Sequence, residues 1–164
     1  MHEVRSPQAI RTLGRRLIRT LAPGTIVGLD GPLGAGKTVL VKGMAEALGV
    51  DPRSVTSASF TLCRSYATDP PLVHIDLYRL DDPAEMFEAG LVESIRNPGG
   101  AVVAVEWFEK LDDLRPSGCV RVRIDFAEPG TRRVEITAPA DSGRPGRRVR
   151  RCAGGRRRTP GRAR

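Results

Sequence analysis

Apolar residues recur along this chain with two different periods, and the change between them marks out its elements. From Ser6, the stretch SPQAIRTLGRRLIRTLAPG places Ile10, Leu13, Leu17 and Leu21 on one helical face. Ser6 is a capping residue type, Pro7 suits a first helical turn, and Pro23-Gly24 stop the helix. TIVGLD (25–30) is a short, mostly apolar run and predicts a buried strand. In KTVLVKGMAEALG, Leu40, Val41, Met44, Ala45 and Leu48 return to helical spacing, with Gly49 as the stop. SFTLCRSYA (59–67), LVHIDLYRL (72–80) and AVVAVEW (101–107) are strand-like. Residues 82–99 are helical and loop, and FEKLDDL predicts a short helix. CVRVRIDFA alternates strictly, with Val120, Val122, Ile124 and Phe126 on one face, and TRRVEITA follows across the turn EPG.

Strands interleaved with helices, without an internal repeat, predict an α/β fold. Its mixed sheet should have a parallel centre flanked by helices and antiparallel strands at the C-terminal end. The chain has 164 residues, 40% of them hydrophobic, which is one domain with a real core. No apolar run is long enough to cross a bilayer, and MHEVRSPQAIRTLG is not a secretory signal. Cys63, Cys119 and Cys152 are scattered and form no C-x-x-C pair. That pattern suits a reducing, cytoplasmic location and argues against a disulfide framework or a zinc site.

Charge divides the chain where hydrophobic patterning ends. The net charge is +8, but residues 141–164 hold 10 of the 27 Lys and Arg and one of the 19 acids. The first 140 residues are therefore nearly neutral, and the basicity lies in DSGRPGRRVRRCAGGRRRTPGRAR. That composition cannot build a core, so a folded domain over 1–140 and a disordered tail over 141–164 are expected. The ten arginines could hold RNA phosphates, but the tail has no aromatic residue to stack on bases. A solvated extension is the simpler reading.

Chemistry enters at GPLGAGKT, residues 31–38, which fits G-x-x-x-x-G-K-[ST] between a predicted strand and a predicted helix. A polyphosphate needs many donors at close range. Backbone N–H groups supply them when no side chain blocks the approach, which explains Gly31, Gly34, Ala35 and Gly36. Lys37 adds a cation for the outer phosphates, and the Thr38 hydroxyl can ligate Mg²⁺. A metal also needs a carboxylate at the end of a buried strand. Glu106 ends AVVAVE and Asp76 ends LVHID. Either alone could be a solvated strand-end acid. Beside a phosphate loop, the C-terminal strand edge is where ligands bind.

The chain lacks N-K-x-D and D-x-x-G, which excludes a GTPase. A small-molecule kinase has a similar size, but no D-x-D follows the loop helix, and Arg79 and Arg96 are isolated. It remains the alternative, together with a non-hydrolysing ATP-gated binding module.

GPLGAGKT, SASFTL, HIDLYRL, DPAEMFEAGLVE and VEW, in this order and spacing, resemble the TsaE family over roughly residues 5–138. The resemblance implies a Mg²⁺-dependent ATPase of low intrinsic activity, needed for threonylcarbamoyladenosine in tRNA and acting with TsaB and TsaD. ATP turnover in the family resets that complex, and TsaD carries out the transfer to tRNA. By motif match, Lys37 and Thr38 take the phosphate and metal roles, Glu106 a second metal contact, and Asp76 a position near the γ-phosphate. Trp107 shapes the site, and SASFTL is a switch-like segment with Thr61 a candidate γ-phosphate sensor. Three positions depart from the family pattern: Pro32 stands where an acid is usual, Ala58 where proline is usual, and Phe108 where a small residue or proline follows VEW. His74 and Tyr78 read as packing residues, Cys63 as a small buried hydrophobe, and Arg79 as a possible partner or phosphate contact.

Overall fold

In the computed structural model, residues 1–138 are described except 59, 60 and 81. The expected basic tail and the Ser59-Phe60 part of the switch-like segment lie outside the described residues. The chain runs β1 (His2–Val4), α1 (Pro7–Ile18), β2 (Ile26–Asp30), α2 (Lys37–Ala47), β3 (Cys63–Tyr66) and β4 (Leu72–Asp76). It continues through α3 (Pro83–Glu88), α4 (Leu91–Arg96), β5 (Val102–Glu106), a 3₁₀ segment (Phe108–Leu114), β6 (Val120–Phe126) and β7 (Arg132–Thr137).

The strands form one seven-stranded sheet in the order β1-β7-β6-β2-β5-β4-β3. β2 lies parallel to both β5 and β6, and β5 lies parallel to β4. This is the expected parallel centre, and β6–β7 is the expected antiparallel pair. β1 adds an antiparallel strand at one edge, which periodicity did not reveal, and β3 adds one at the other, within the strand-like stretch 59–67. β1 is three residues long with one buried position, too short to show alternation. The strand expected over 72–80 ends at Asp76, and the one over 59–67 is reduced to Cys63–Tyr66.

Helices cover both faces, and that explains the unbroken apolar runs. β2 and β5 are buried at every position. On one face α1 and α2 pack over Val27, Leu29, Val102, Ala104 and Val122. On the other, α3, α4 and the 3₁₀ segment cover Ile75, Val103 and Val105. Ser6 caps α1 by accepting the Ala9 N–H at 3.2 Å, with Pro7 in the first turn. α1 meets α2 almost backbone to backbone. A Cβ on Gly14 would stand 2.1 Å from the Leu40 carbonyl oxygen, and one on Gly43 would stand 2.0 Å from that of Arg11. This contact seats α1 beside the start of α2, where Ile10 lies under Gly36. Among the described residues, no helix is long and apolar enough to cross a membrane.

Candidate functional site

The loop between β2 and α2 stands at the C-terminal edge of the parallel strands. Gly36 precedes α2 with φ 116°, a backbone conformation open to glycine and costly for other residues. No side chain caps α2, and among the described residues the N–H groups of Gly34, Gly36, Lys37 and Thr38 meet no backbone acceptor. A Cβ on Gly34 would meet nothing within 4 Å. An uncapped helix start facing an open glycine loop is a cradle for an anion.

Lys37 is 4% exposed. Its Nζ donates to the Gly31 carbonyl at 2.6 Å and to that of Pro32 at 3.0 Å, and lies 3.9 Å from the Trp107 ring centre. Burial pulls Lys37 below the ordinary lysine value, against the opposing charges of Glu106, Glu109, Asp76 and Asp30.

Strand register brings the two acids together. Asp76 and Glu106 are direct partners across β4 and β5, and both are buried. Thr38 Oγ1 donates to Glu106 Oε1 at 2.8 Å, and His74 Nε2 lies 2.8 Å from the same oxygen. Asp76 accepts from the Ser57 hydroxyl at 2.7 Å through Oδ2, and from the Tyr78 N–H at 3.0 Å through Oδ1. These groups surround a cavity of about 320 Å³, lined by Leu33, Gly34, Gly36, Lys37, Thr38, Val39, Ser57, Asp76, Tyr78, Glu106 and Trp107.

The sequence-read residues therefore converge, with differences of detail. Lys37, Thr38, Asp76, Glu106, Gly34 and Gly36 line the cavity. Gly31 sits behind it, its carbonyl holding Lys37, and Ala35 is buried in the core. Thr61 is outside the lining, and Ser57 from the same segment is inside it. Tyr78 is not a packing residue: it is half-exposed and tilts against Trp107, 5.1 Å between ring centres. His74 is packed, but its partner is Glu106 on the next strand and not Asp76 on its own. No sequence signal announces such cross-strand pairs.

Asp30 also escaped the sequence reading. It is buried at the end of β2, accepts the Glu109 N–H at 2.9 Å, and is bonded by Arg121. Burial works to raise its carboxyl, but the bonds from Glu109 and Arg121 outweigh this and hold it below the usual value. Glu109, exposed as a residue, has its carboxyl group partly withdrawn from water. That burial, followed by the adjoining Asp30, pushes it up to about 7.

A family model described as "Threonylcarbamoyl adenosine biosynthesis protein TsaE" matches residues 4–134 of this chain. The chain belongs to the TsaE family. A tRNA threonylcarbamoyladenosine biosynthesis protein TsaE of Streptomyces coelicolor is 42% identical, over 78% of this chain and 89% of that protein. The TsaE of a Nostoc species is 39% identical over 76% and 77%, and that of Bacillus subtilis 34% identical over 81% and 82%. The crystal structure of Bacillus subtilis YdiB superposes with a TM-score of 0.66 at 28% identity, covering 84% of this chain and 83% of that one. The three departures from the TsaE pattern are absorbed locally. The Pro32 carbonyl accepts from Lys37, Ala58 is fully buried, and Phe108 is fully buried against Gly28.

Proposed function

We propose that this TsaE-family chain binds ATP with Mg²⁺ and hydrolyses it slowly, acting with TsaB and TsaD to sustain threonylcarbamoyladenosine formation on tRNA. The observation that carries this reading is the Thr38–Glu106 hydrogen bond at 2.8 Å, formed beside Lys37 at an uncapped helix start. Among the described residues no three His, Cys, Asp or Glu side chains form a metal cage. A hydroxyl and one carboxylate are the donor set Mg²⁺ takes when phosphates and waters complete its shell. The fit to a phosphate is the open glycine cradle.

In this reading the N–H groups of Gly34, Gly36, Lys37 and Thr38, with the Lys37 ammonium, bind the phosphates and offset charge as it develops on them. To do so, Lys37 turns from the Gly31 and Pro32 carbonyls. Thr38 and Glu106 hold the metal, which when bound would neutralise charge on the outer phosphate oxygens. Asp76, its oxygens fixed by Ser57 and the Tyr78 N–H, orients the attacking water. Among the described residues no unengaged general base stands in the lining, which supports a low rate without partners.

The test is a multiple-turnover assay of threonylcarbamoyladenosine with cognate TsaB, TsaD and the adenylate-forming enzyme. Product should continue past the first turnover with the wild type, and stop without it or with Lys37→Ala. Equal yields in all three would overturn the proposal, and phosphate transfer to a small acceptor would favour the kinase alternative.

A further inference from the structure

His74 is a polar ring in the middle of a buried strand, where valine or isoleucine would pack at lower cost. It is completely buried, and among the described residues its Nδ1 has no hydrogen-bond partner. A buried polar atom left unpaired costs stability, so the residue is not explained by packing. Among the described residues its one polar contact is informative. Nε2 lies 2.8 Å from Glu106 Oε1, and with a carboxylate oxygen as partner it is Nε2 that carries the proton.

The same Oε1 receives the Thr38 hydroxyl at 2.8 Å. Two donors from two different elements thus converge on one oxygen of a carboxylate that is 3% exposed. Among the described residues Oε2 takes no hydrogen bond. A glutamate has three side-chain torsions, and one bond to Thr38 cannot fix them all. The second bond comes from β4, which is locked in register beside β5, with His74 opposite Ala104 and Asp76 opposite Glu106. It therefore ties the Glu106 carboxylate to the rigid sheet.

We propose that His74 is a positioning residue, which through Nε2 holds the Glu106 carboxylate so that its free oxygen and the Thr38 lone pairs are presented together to the metal. This rests on the Mg²⁺-dependent reading above. Partners that orient a ligating carboxylate affect metal affinity without touching the metal. Among the described residues His74 makes no hydrogen bond to the phosphate loop that would set nucleotide affinity without metal.

The chain has a single tryptophan, Trp107, and it lines the cavity, so its fluorescence reports nucleotide directly. ATP is titrated with excess chelator and again with Mg²⁺, and the ratio of the two affinities is the readout. The wild type should bind more tightly with Mg²⁺. His74→Gln, whose amide nitrogen reaches about where Nε2 stands, should retain most of that gain. His74→Asn has its amide at the Nδ1 position and falls short of Glu106. It should lose about 10-fold or more of the gain, with metal-free affinity kept within about two-fold. The two variants are alike in polarity and leave the strand similarly disturbed, so a merely structural role would move both together. Equal gains in Gln and Asn, or losses that follow the melting temperature and appear without Mg²⁺, would overturn the positioning role. Absence of any Mg²⁺ gain in the wild type would overturn the metal reading, and this proposal with it.

Discussion

Lys37 and Glu106 show how burial turns ordinary residues into reagents. The Lys37 ammonium is withdrawn from water and shared among two carbonyls and an indole ring, an arrangement a phosphate can displace. Lys37→Ala should abolish ATP binding or turnover, checked by Trp107 fluorescence and phosphate release. Glu106→Ala removes the acceptor of both Thr38 and His74. It should lose Mg²⁺-dependent turnover, keep some nucleotide binding, and melt earlier by about 1–3 kcal/mol of stability, because the buried His74 and the half-buried Thr38 lose their common acceptor. Retention of full hydrolysis would remove Glu106 from the metal role. Glu109 supplies a pH test with a definite sign. Its carboxyl rises from an ordinary 4.5 to about 7 in the fold, so the folded state holds this proton more tightly than the unfolded chain. The associated stability is complete below pH 4.5 and is lost as pH rises through about 7. Glu109→Gln should therefore gain in melting temperature relative to the wild type between pH 5 and pH 8, as calorimetry at the two pH values would show.

At the scale of elements, the site depends on the close contact of α1 with α2 and on the turn after β5. Gly14 and Gly43 allow α1 to rest directly on α2. Alanine at either would push the Cβ against a carbonyl oxygen, and neither helix backbone can yield locally. Gly43→Ala should destabilise by about 1–3 kcal/mol in denaturant unfolding. It should weaken ATP binding as well, because α2 starts at the phosphate loop. At the other end, Asp30 accepts the Glu109 N–H, which fixes the turn after β5. Within that turn Trp107 adopts a left-handed conformation, φ 60°, and lies over Lys37. Lys110 extends the same turn, donating to the Tyr78 and Leu80 carbonyls.

For the whole molecule, the uneven distribution of charge separates the site from the basic segment. Residues 1–140, nearly neutral, contain every residue assigned a phosphate or metal role, and the excess of arginine lies after them. We propose that residues 141–164 are dispensable for nucleotide chemistry. Deleting 142–164 should leave ATP hydrolysis unchanged and tRNA affinity unchanged at low salt. A large fall in tRNA binding would instead give the arginines an RNA-phosphate role.

The amino-acid sequence by itself determined the local parts. Period determines helix and strand, so α1, α2, β2, β5 and the β6–β7 pair were legible, with the Ser6 cap. The glycine loop was legible because phosphate contact demands backbone without side chains. Strand-end position made Asp76 and Glu106 candidates. Tertiary structure alone decided which groups meet. β1 became a strand because a sheet edge offered it a partner, and no period announces that. The joining of Thr38, His74 and Glu106 depends on the parallel register of β4 against β5 and on the seating of α2. Likewise Asp30 finds Glu109 and Arg121 across 79 and 91 residues of chain. Sequence spacing encodes contacts within a turn or a strand. Contacts between elements follow from packing, and only the assembled sheet fixes them.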